Sequence, residues 1–169
     1  LGISVAINGD YVVAGAYYDD DKGSSSGSAY IFYKDHGGSD NWGQIAKLTA
    51  SDGASSDYFG RSVAISGDYV VVGADGDDDK GSSSGSAYIF YKDHETADSW
   101  GQIAKLTASD GASSDHFGRS VAISGDYVVV GAYDDDDNGS SSGSAYIFYK
   151  DQETANSWGQ ITKLTASDG

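Results

Sequence analysis

The stretch Asp134-Asp135-Asp136-Asp137-Asn138-Gly139 sets four carboxylates and an amide ahead of a glycine, the composition of a loop that wraps a hard cation. In an Asp-x-Asp-x-Asn-Gly run alternate side chains converge and the glycine permits the turn, and calcium is the ion such oxygens suit. The run is met twice more: Asp75, Asp77 and Asp79 precede Lys80-Gly81, and Asp19 and Asp21 precede Lys22-Gly23. Calcium is therefore expected at Asp19, Asp21, Asp75, Asp77, Asp79, Asp134, Asp135, Asp136, Asp137 and Asn138. The third loop is favoured, because Asn138 stands where the others carry a lysine. The alternative is a solvated loop whose Asp and Ser side chains bond to the backbone. The bidentate acid of a complete calcium loop is missing six residues after Gly139, where Ala145 stands.

Other chemistry finds little footing. His36 and His94 share a column that Gln152 occupies in the third loop's unit, and His116 is matched by Tyr58. A base exchanged for Gln or Tyr reads as a loop residue, and no Ser-His-Asp, paired-Glu or zinc spacing stands out, so no enzyme is expected. Tyr17, Tyr18 and Tyr133 border the acidic runs in positions that vary between units. They fit packing at a strand end, or a rim whose aromatic faces, together with calcium, hold a carbohydrate.

These loops sit in an array. Gly2, Gly60 and Gly118 correspond, as do Tyr30, Tyr88 and Tyr146, and Trp42, Trp100 and Trp158, each 58 residues apart. Residues 60–111 and 118–169 differ at six positions: Asp75/Tyr133, Gly76/Asp134, Lys80/Asn138, His94/Gln152, Asp98/Asn156 and Ala104/Thr162. Copying alone preserves loops and core equally, so only the columns that differ carry a message.

Composition narrows the partners. The net charge of −16 comes from 24 Asp and two Glu, which makes nucleic acid an unsuitable partner. No segment is apolar enough to insert in a membrane. Cysteine is absent, so no disulfide framework or thiol site exists. The chain begins inside a repeat at Leu1 and is expected to be a stretch of something longer.

The 24 Gly and the short Val, Ile, Tyr and Phe runs indicate an all-β chain. In each unit "FGRSVAIS" and "YVVVGA" flank Gly67-Asp68, a tight hairpin, and the Asn8-Gly9 version suggests a type I′ pair. In "SAYIFYK" Tyr88 and Phe90 point one way and Ala87, Ile89 and Tyr91 the other, so this strand is sandwiched between two sheets. The Trp-containing strand that follows is partly polar and fits an outer edge, with Ile103 and Lys105 on one face and Gln102, Ala104 and Leu106 on the other. Four antiparallel strands per unit, repeated without insertion, describe the blades of a β-propeller: 1–53, 54–111 and 112–169. A β-solenoid is the runner-up, with rungs usually shorter than this repeat. Phe59 and Phe117 read as pegs locking one blade to the next, and Leu1 keeps that column apolar. Asp10, Asp68 and Asp126, and likewise Asp52, Asp110 and Asp168, read as turn residues. Because propellers usually close with about four to eight blades, further blades of the same chain, or identical chains, are expected on the open faces.

"YFGRSVAISGDYVVVGA" resembles the FG-GAP repeat of integrin α-subunit propellers, with the final Pro replaced by Tyr17, Asp75 or Tyr133. It is more similar to the variant of that repeat found in large bacterial surface proteins, where "LTASDGA", Phe-Gly, "SVAISGDYVVVGA", acids and "GSAYIF" succeed one another. The integrin calcium loop lies between the first two strands, where this sequence has only "ISGDY", so that site does not carry over and any calcium here falls to the later acidic loops. The resemblance implies an extracellular location and a role in adhesion or surface architecture, with a surface glycan or protein as ligand. The alternative is a lectin-like propeller.

Overall fold

The computed structural model describes residues 1–93, 99–151 and 157–167. His94, Asp98, Gln152, Asn156 and Asp168 lie outside the described residues. Twelve strands form three antiparallel sheets in chain order. The first holds β1 (Val5–Asn8), β2 (Tyr11–Ala16), β3 (Ser28–Tyr33) and β4 (Gly43–Leu48). The second holds β5 (Ser62–Ser66), β6 (Tyr69–Ala74), β7 (Ser86–Lys92) and β8 (Trp100–Leu106), and the third β9 (Phe117–Ser124), β10 (Tyr127–Ala132), β11 (Ser144–Lys150) and β12 (Trp158–Leu164). The first strands β1, β5 and β9 lie against one another, while the fourth strands lie mainly against the third strands of their own sheets. The sheets therefore splay like propeller blades, with first strands innermost.

The short apolar runs explain this stacking, because both faces of the middle sheet need cover. Val70, Val72, Tyr88 and Phe90 pack on Val13, Ile31 and Leu48 of the first sheet. Val71, Ala87 and Ile89, on the opposite face, pack on Val128, Val130 and Tyr146 of the third. Each large side chain buried in this way contributes roughly 1.5–3 kcal/mol.

Two local expectations are corrected. Asn8 pairs with Tyr11, so the first hairpin turns on Gly9-Asp10 rather than Asn8-Gly9. Gly9 alone has a positive φ there, 55°, which fits a type II′ turn and not the two left-handed residues of type I′. In the outer strand Ile89 faces Ala104 but Phe90 faces Gln102, making Ile103 the extra residue of a β-bulge. The bulge overturns strict alternation: Ile103 joins Ala104 and Leu106 against the third sheet, while Gln102 and Lys105 turn back toward Ser51 and Asp52 of the first unit.

Consecutive sheets meet through bare backbone. Phe59, fully buried, stands edge-on to Tyr88 with ring centroids 5.5 Å apart, and its N–H donates to the Ser26 carbonyl at 3.0 Å. Gly60, with φ 90°, brings its carbonyl so close to Gly15 that a Cβ on Gly15 would lie 1.9 Å from the oxygen. The approach recurs between Gly73 and the Gly118 carbonyl, again at 1.9 Å.

This close approach generates a graded prediction for two Gly→Ala substitutions measured by urea or thermal unfolding. At Gly67, where nothing lies near the missing Cβ and φ is 56°, alanine should cost only the roughly 1–2 kcal/mol of a left-handed residue. At Gly73 the new methyl meets backbone that has no rotamer to escape into, so the loss should be on the order of 3 kcal/mol or more. Equal losses would show that the sheets are not spaced by this glycine.

Candidate functional site

The acidic runs form the loops between the second and third strands, and each acid has its own partner. The middle one caps the loop: Oδ1 of Asp20, Asp78 and Asp136 accepts the N–H of Ser25, Ser83 and Ser141 at 2.7, 2.7 and 2.6 Å. The serine run that follows offers carbonyls to the linker of the next sheet. Ser24, Ser25 and Ser26 accept from the N–H groups of Ser56, Tyr58 and Phe59, and Ser82, Ser83 and Ser84 repeat the pattern with Ser114, His116 and Phe117.

The flanking acids turn inward. Asp77 is buried and accepts from the Ser86 and Tyr88 hydroxyls, each at 2.9 Å, and from Lys105 Nζ at 3.0 Å. Lys105 Nζ lies 2.6 Å from Asp79 and 2.7 Å from Asp52, an acid contributed by the first unit. The third unit repeats this, with Lys163 Nζ 2.8 Å from Asp110, 2.9 Å from Asp135 and 2.5 Å from Asp137. In the first unit, among the described residues, Lys47 pairs with Asp19 and Asp21 alone. Burial opposes the charge on Lys105 and Lys163, but their hydrogen-bonded aspartates outweigh it and hold both ammonium groups well above the usual lysine range. Tyr88 is pushed upward by burial and by Asp77, and so stays a hydroxyl donor.

Carboxylate oxygens of Asp52, Asp77 and Asp79, and of Asp110, Asp135 and Asp137, lie within 4.8 Å of one another, so each trio could hold a metal ion. The point on which they converge is held by the lysine ammonium. Of the residues singled out in the sequence, Asp19 with Asp21, Asp77 with Asp79, and Asp135 with Asp137 come together. The alternation is displaced by one in the third loop: Asp136 binds its own loop, Asn138 Nδ2 donates to the Ala166 carbonyl at 3.1 Å, and Asp134 lies beside Tyr133. Lys22 points away, donating to the Ser51 carbonyl at 3.1 Å. Sequence reasoning missed Lys47, Lys105 and Lys163, and read Asp52 and Asp110 as turn residues only. The available signal was a lysine in the same column of every outer strand, but the bulge concealed which way it faces.

Asp75 belongs to a different place. With Tyr17, Tyr18, Tyr58, Arg61, His116, Arg119 and Tyr133 it lines a cavity of about 260 Å³. Its Oδ2 accepts from Arg119 Nη1 at 3.0 Å, and its backbone carbonyl lies 3.1 Å from His116 Nδ1. Arg61 stacks over Tyr17 at 4.6 Å, and His116 stacks on Tyr133 at 5.3 Å. Burial raises the Asp75 carboxyl, and Arg61 and His116 oppose that shift.

Two groups of acids make opposite contributions to pH dependence. Asp19, chiefly through the Tyr30 hydroxyl, is lowered from 3.8, as are Asp52 and Asp135, whose burial is outweighed by their lysines. Their stabilisation is present above 3.8 and is lost as pH falls through their folded values. Asp57 is the reverse case: burial pushes it from 3.8 up to about 6, against the pull of the Ala54 N–H. The folded chain then keeps a proton that the unfolded chain has released, so stability falls as pH rises across that window. Asp57→Asn keeps an acceptor for Ala54 and should raise the melting temperature at neutral pH while leaving it nearly unchanged near pH ~4. Parallel melting curves for the two proteins would refute the assignment.

The FG-GAP repeat family matches the chain at residues 1–32, 42–90 and 100–148. The second and third segments each run from the fourth strand of one sheet into the third strand of the next, so the matched unit contains the Phe-Gly joint between sheets. No curated protein matches the chain. With three successive matches over most of its length, the chain belongs to the FG-GAP repeat family.

Proposed function

We propose that the chain is a propeller segment of an extracellular surface protein, acting in adhesion or surface architecture, in which residues 1–53, 54–111 and 112–169 are successive blades and further blades of the same repeat seat on both open faces. These blades come from the same polypeptide or from identical chains. The carrying observation is what the internal copies look like when covered. Val5 is 68% exposed and its equivalent Val63 is 8%; Leu164 is 48% exposed and its equivalent Leu106 is 2%. The polar surroundings agree. Among the described residues, Lys47 meets no third carboxylate of the kind that Asp52 and Asp110 bring to Lys105 and Lys163 from a preceding unit. Among the described residues no N–H bonds the serine carbonyls of the third unit's run, and none lies near Gly139 where Ser55 and Ser113 approach Gly23 and Gly81. The extracellular location is supported by the family, whose repeats are typically extracellular and serve structure or binding rather than catalysis. Among the described residues no helix is long and apolar enough to cross a membrane.

Association through these faces is testable by light scattering on the purified chain. It should self-associate, and Val5→Lys with Leu164→Lys, one change on each open face, should return it to a monomer without lowering its melting temperature. A wild-type monomer would sink the proposal.

For the cation, the reading is calcium at the Asp52/Asp77/Asp79 and Asp110/Asp135/Asp137 trios, in competition with lysine. Carboxylate number supports it, and the ammonium limits it, because a divalent ion enters only where the lysine has moved out. Lys105→Met with Lys163→Met leaves one buried carboxylate per trio, Asp77 or Asp135, without its ammonium and should cost on the order of 1–3 kcal/mol per site. Millimolar calcium should restore much of that loss and should raise the melting temperature of the wild type less. No calcium response in the double variant would remove these trios as calcium sites.

A further inference from the structure

At the end of the sheets remote from the acidic loops, the joint between the first two sheets opens into a cavity of about 590 Å³ lined by Tyr11, Tyr33, His36, Ile45, Lys92 and Trp100. Tyr11 opens β2 opposite Tyr33 at the end of β3, and Trp100 opens β8 opposite Lys92 at the end of β7. Tyr11 stands two residues before Val13, and Lys92 two after Phe90, so each pair projects into the joint that those core residues fill. These rings thus lie between two sheets that are both present, not on a face that a further blade would cover. Gln44 also borders the cavity, but its equivalents Gln102 and Gln160 bond Ser51 and Ser109 of a preceding unit, so it is assigned no part here.

Deeper in the same joint the aromatic rings close on one another, and Phe59 and Tyr88 are fully buried. At this end Tyr11, Tyr33 and Trp100 are left half-buried around open space. Tyr11 tilts against Tyr33 with centroids 5.0 Å apart, stands edge-on to Trp100 at 5.9 Å, and accepts on its hydroxyl from Lys92 Nζ at 2.9 Å. The next joint repeats the arrangement, with Tyr69 4.9 Å from Tyr91 and 5.8 Å from Trp158, and Lys150 Nζ 5.3 Å from the Tyr69 ring where Lys92 lies 5.2 Å from that of Tyr11. His36 is seated on bare backbone: a Cβ on Gly43 would lie 2.7 Å from its Cδ2, and Asn41 Nδ2 donates to its carbonyl at 3.0 Å. Among the described residues no carboxylate lines the cavity, in a chain that carries 26 acids.

We propose that each of these crevices binds one neutral pyranose ring of a glycan. Such a ring is apolar on its C–H faces and polar at its edge, and tyrosine and tryptophan are amphipathic in the same way. Its faces pack on the aromatic rings, while its hydroxyls both donate and accept, as do the hydroxyls of Tyr11 and Tyr33, with the His36 imidazole beside them. Other ligands fit less well. A metal ion finds no carboxylate, a quaternary ammonium would share its aromatic surface with Lys92, and an acidic ligand approaches a chain of net charge −16. The volume falls within the roughly 300–1,000 Å³ of ligand pockets. The inference goes beyond the proposed surface role by giving the array a ligand, and a crevice at every joint presents several sites to one polysaccharide.

The test is saturation-transfer NMR on the whole chain with methyl glycosides of neutral hexoses and N-acetylhexosamines, and with methyl glucuronide and tetramethylammonium as charged comparisons. At least one neutral glycoside should receive transfer and should shift the indole N–H signals of Trp100 and Trp158, with both charged probes weaker. Leucine at Tyr33, Tyr91 and Tyr149, the whole column, keeps apolar volume without the ring faces and should weaken binding about tenfold or more. Phenylalanine at the same three positions keeps the rings and should weaken it less. No transfer from any neutral glycoside, tighter binding of either charged probe, indole signals that stay in place, or equal binding by the leucine and phenylalanine variants would overturn the site. The indole shifts are read on the wild type, so they decide the matter even where the leucine variant fails to fold. The crevices lie inside the chain's own joints, so their failure leaves the association measured by light scattering untouched.

Discussion

The close approach of one blade's Phe-Gly to the preceding blade's glycines governs the rest of the structure. At two places a carbonyl oxygen sits where any side chain would have to begin, Gly60 against Gly15 and Gly118 against Gly73, and these fix how near successive sheets stand at their first strands. That spacing lets Phe59 and Phe117 sit fully buried between sheets and lets the linker N–H groups reach the serine carbonyls of the acidic loop. The glycines and phenylalanine of the repeat are thus the two halves of one joint. A propeller blade is defined as much by this joint as by its four strands.

Once the sheets are locked at that distance, the acidic loops acquire a use that their composition alone does not suggest. Acids in sequence would repel one another, yet the loop turns alternate side chains in different directions. One closes the loop, and its two neighbours meet a lysine from the outer strand of the same blade. The third carboxylate arrives from the preceding blade, so the network spans the joint. Tyr88 and Tyr146 complete it, each donating to the buried carboxylate of its cluster. In each network only the central carboxylate, Asp77 or Asp135, is buried, while the two acids beside it stay open to solvent.

The cavity around Asp75 follows the opposite logic. Where the joint and the lysine clusters repeat with nearly the same distances, the cavity is assembled from columns that differ, and it alone combines both arginines with a carboxylate that keeps an unpaired oxygen. The repeated parts hold the sheets and line the aromatic crevices between them, and the varied parts line this one cavity at the other end of the sheets.

The sequence by itself determined the period, the four strands per unit, the two-faced third strand and the phenylalanine peg, because each rests on short-range pattern: alternation, glycine placement and a repeat without insertions. It also located the acidic loops and the tyrosines that border them. Tertiary structure decided the rest. A single bulged residue, Ile103, joined the side of Ala104 and Leu106 and left Lys105 with Gln102 on the face toward Asp52 and Ser51, and periodicity carries no trace of such an extra residue. The convergence of Asp52 and Asp77 on one lysine, and of Arg61, Arg119 and Asp75 on one cavity, joins residues from different blades. Their distances depend on how closely the backbones stack, a quantity set by packing across sheets and invisible in the order of residues along one of them.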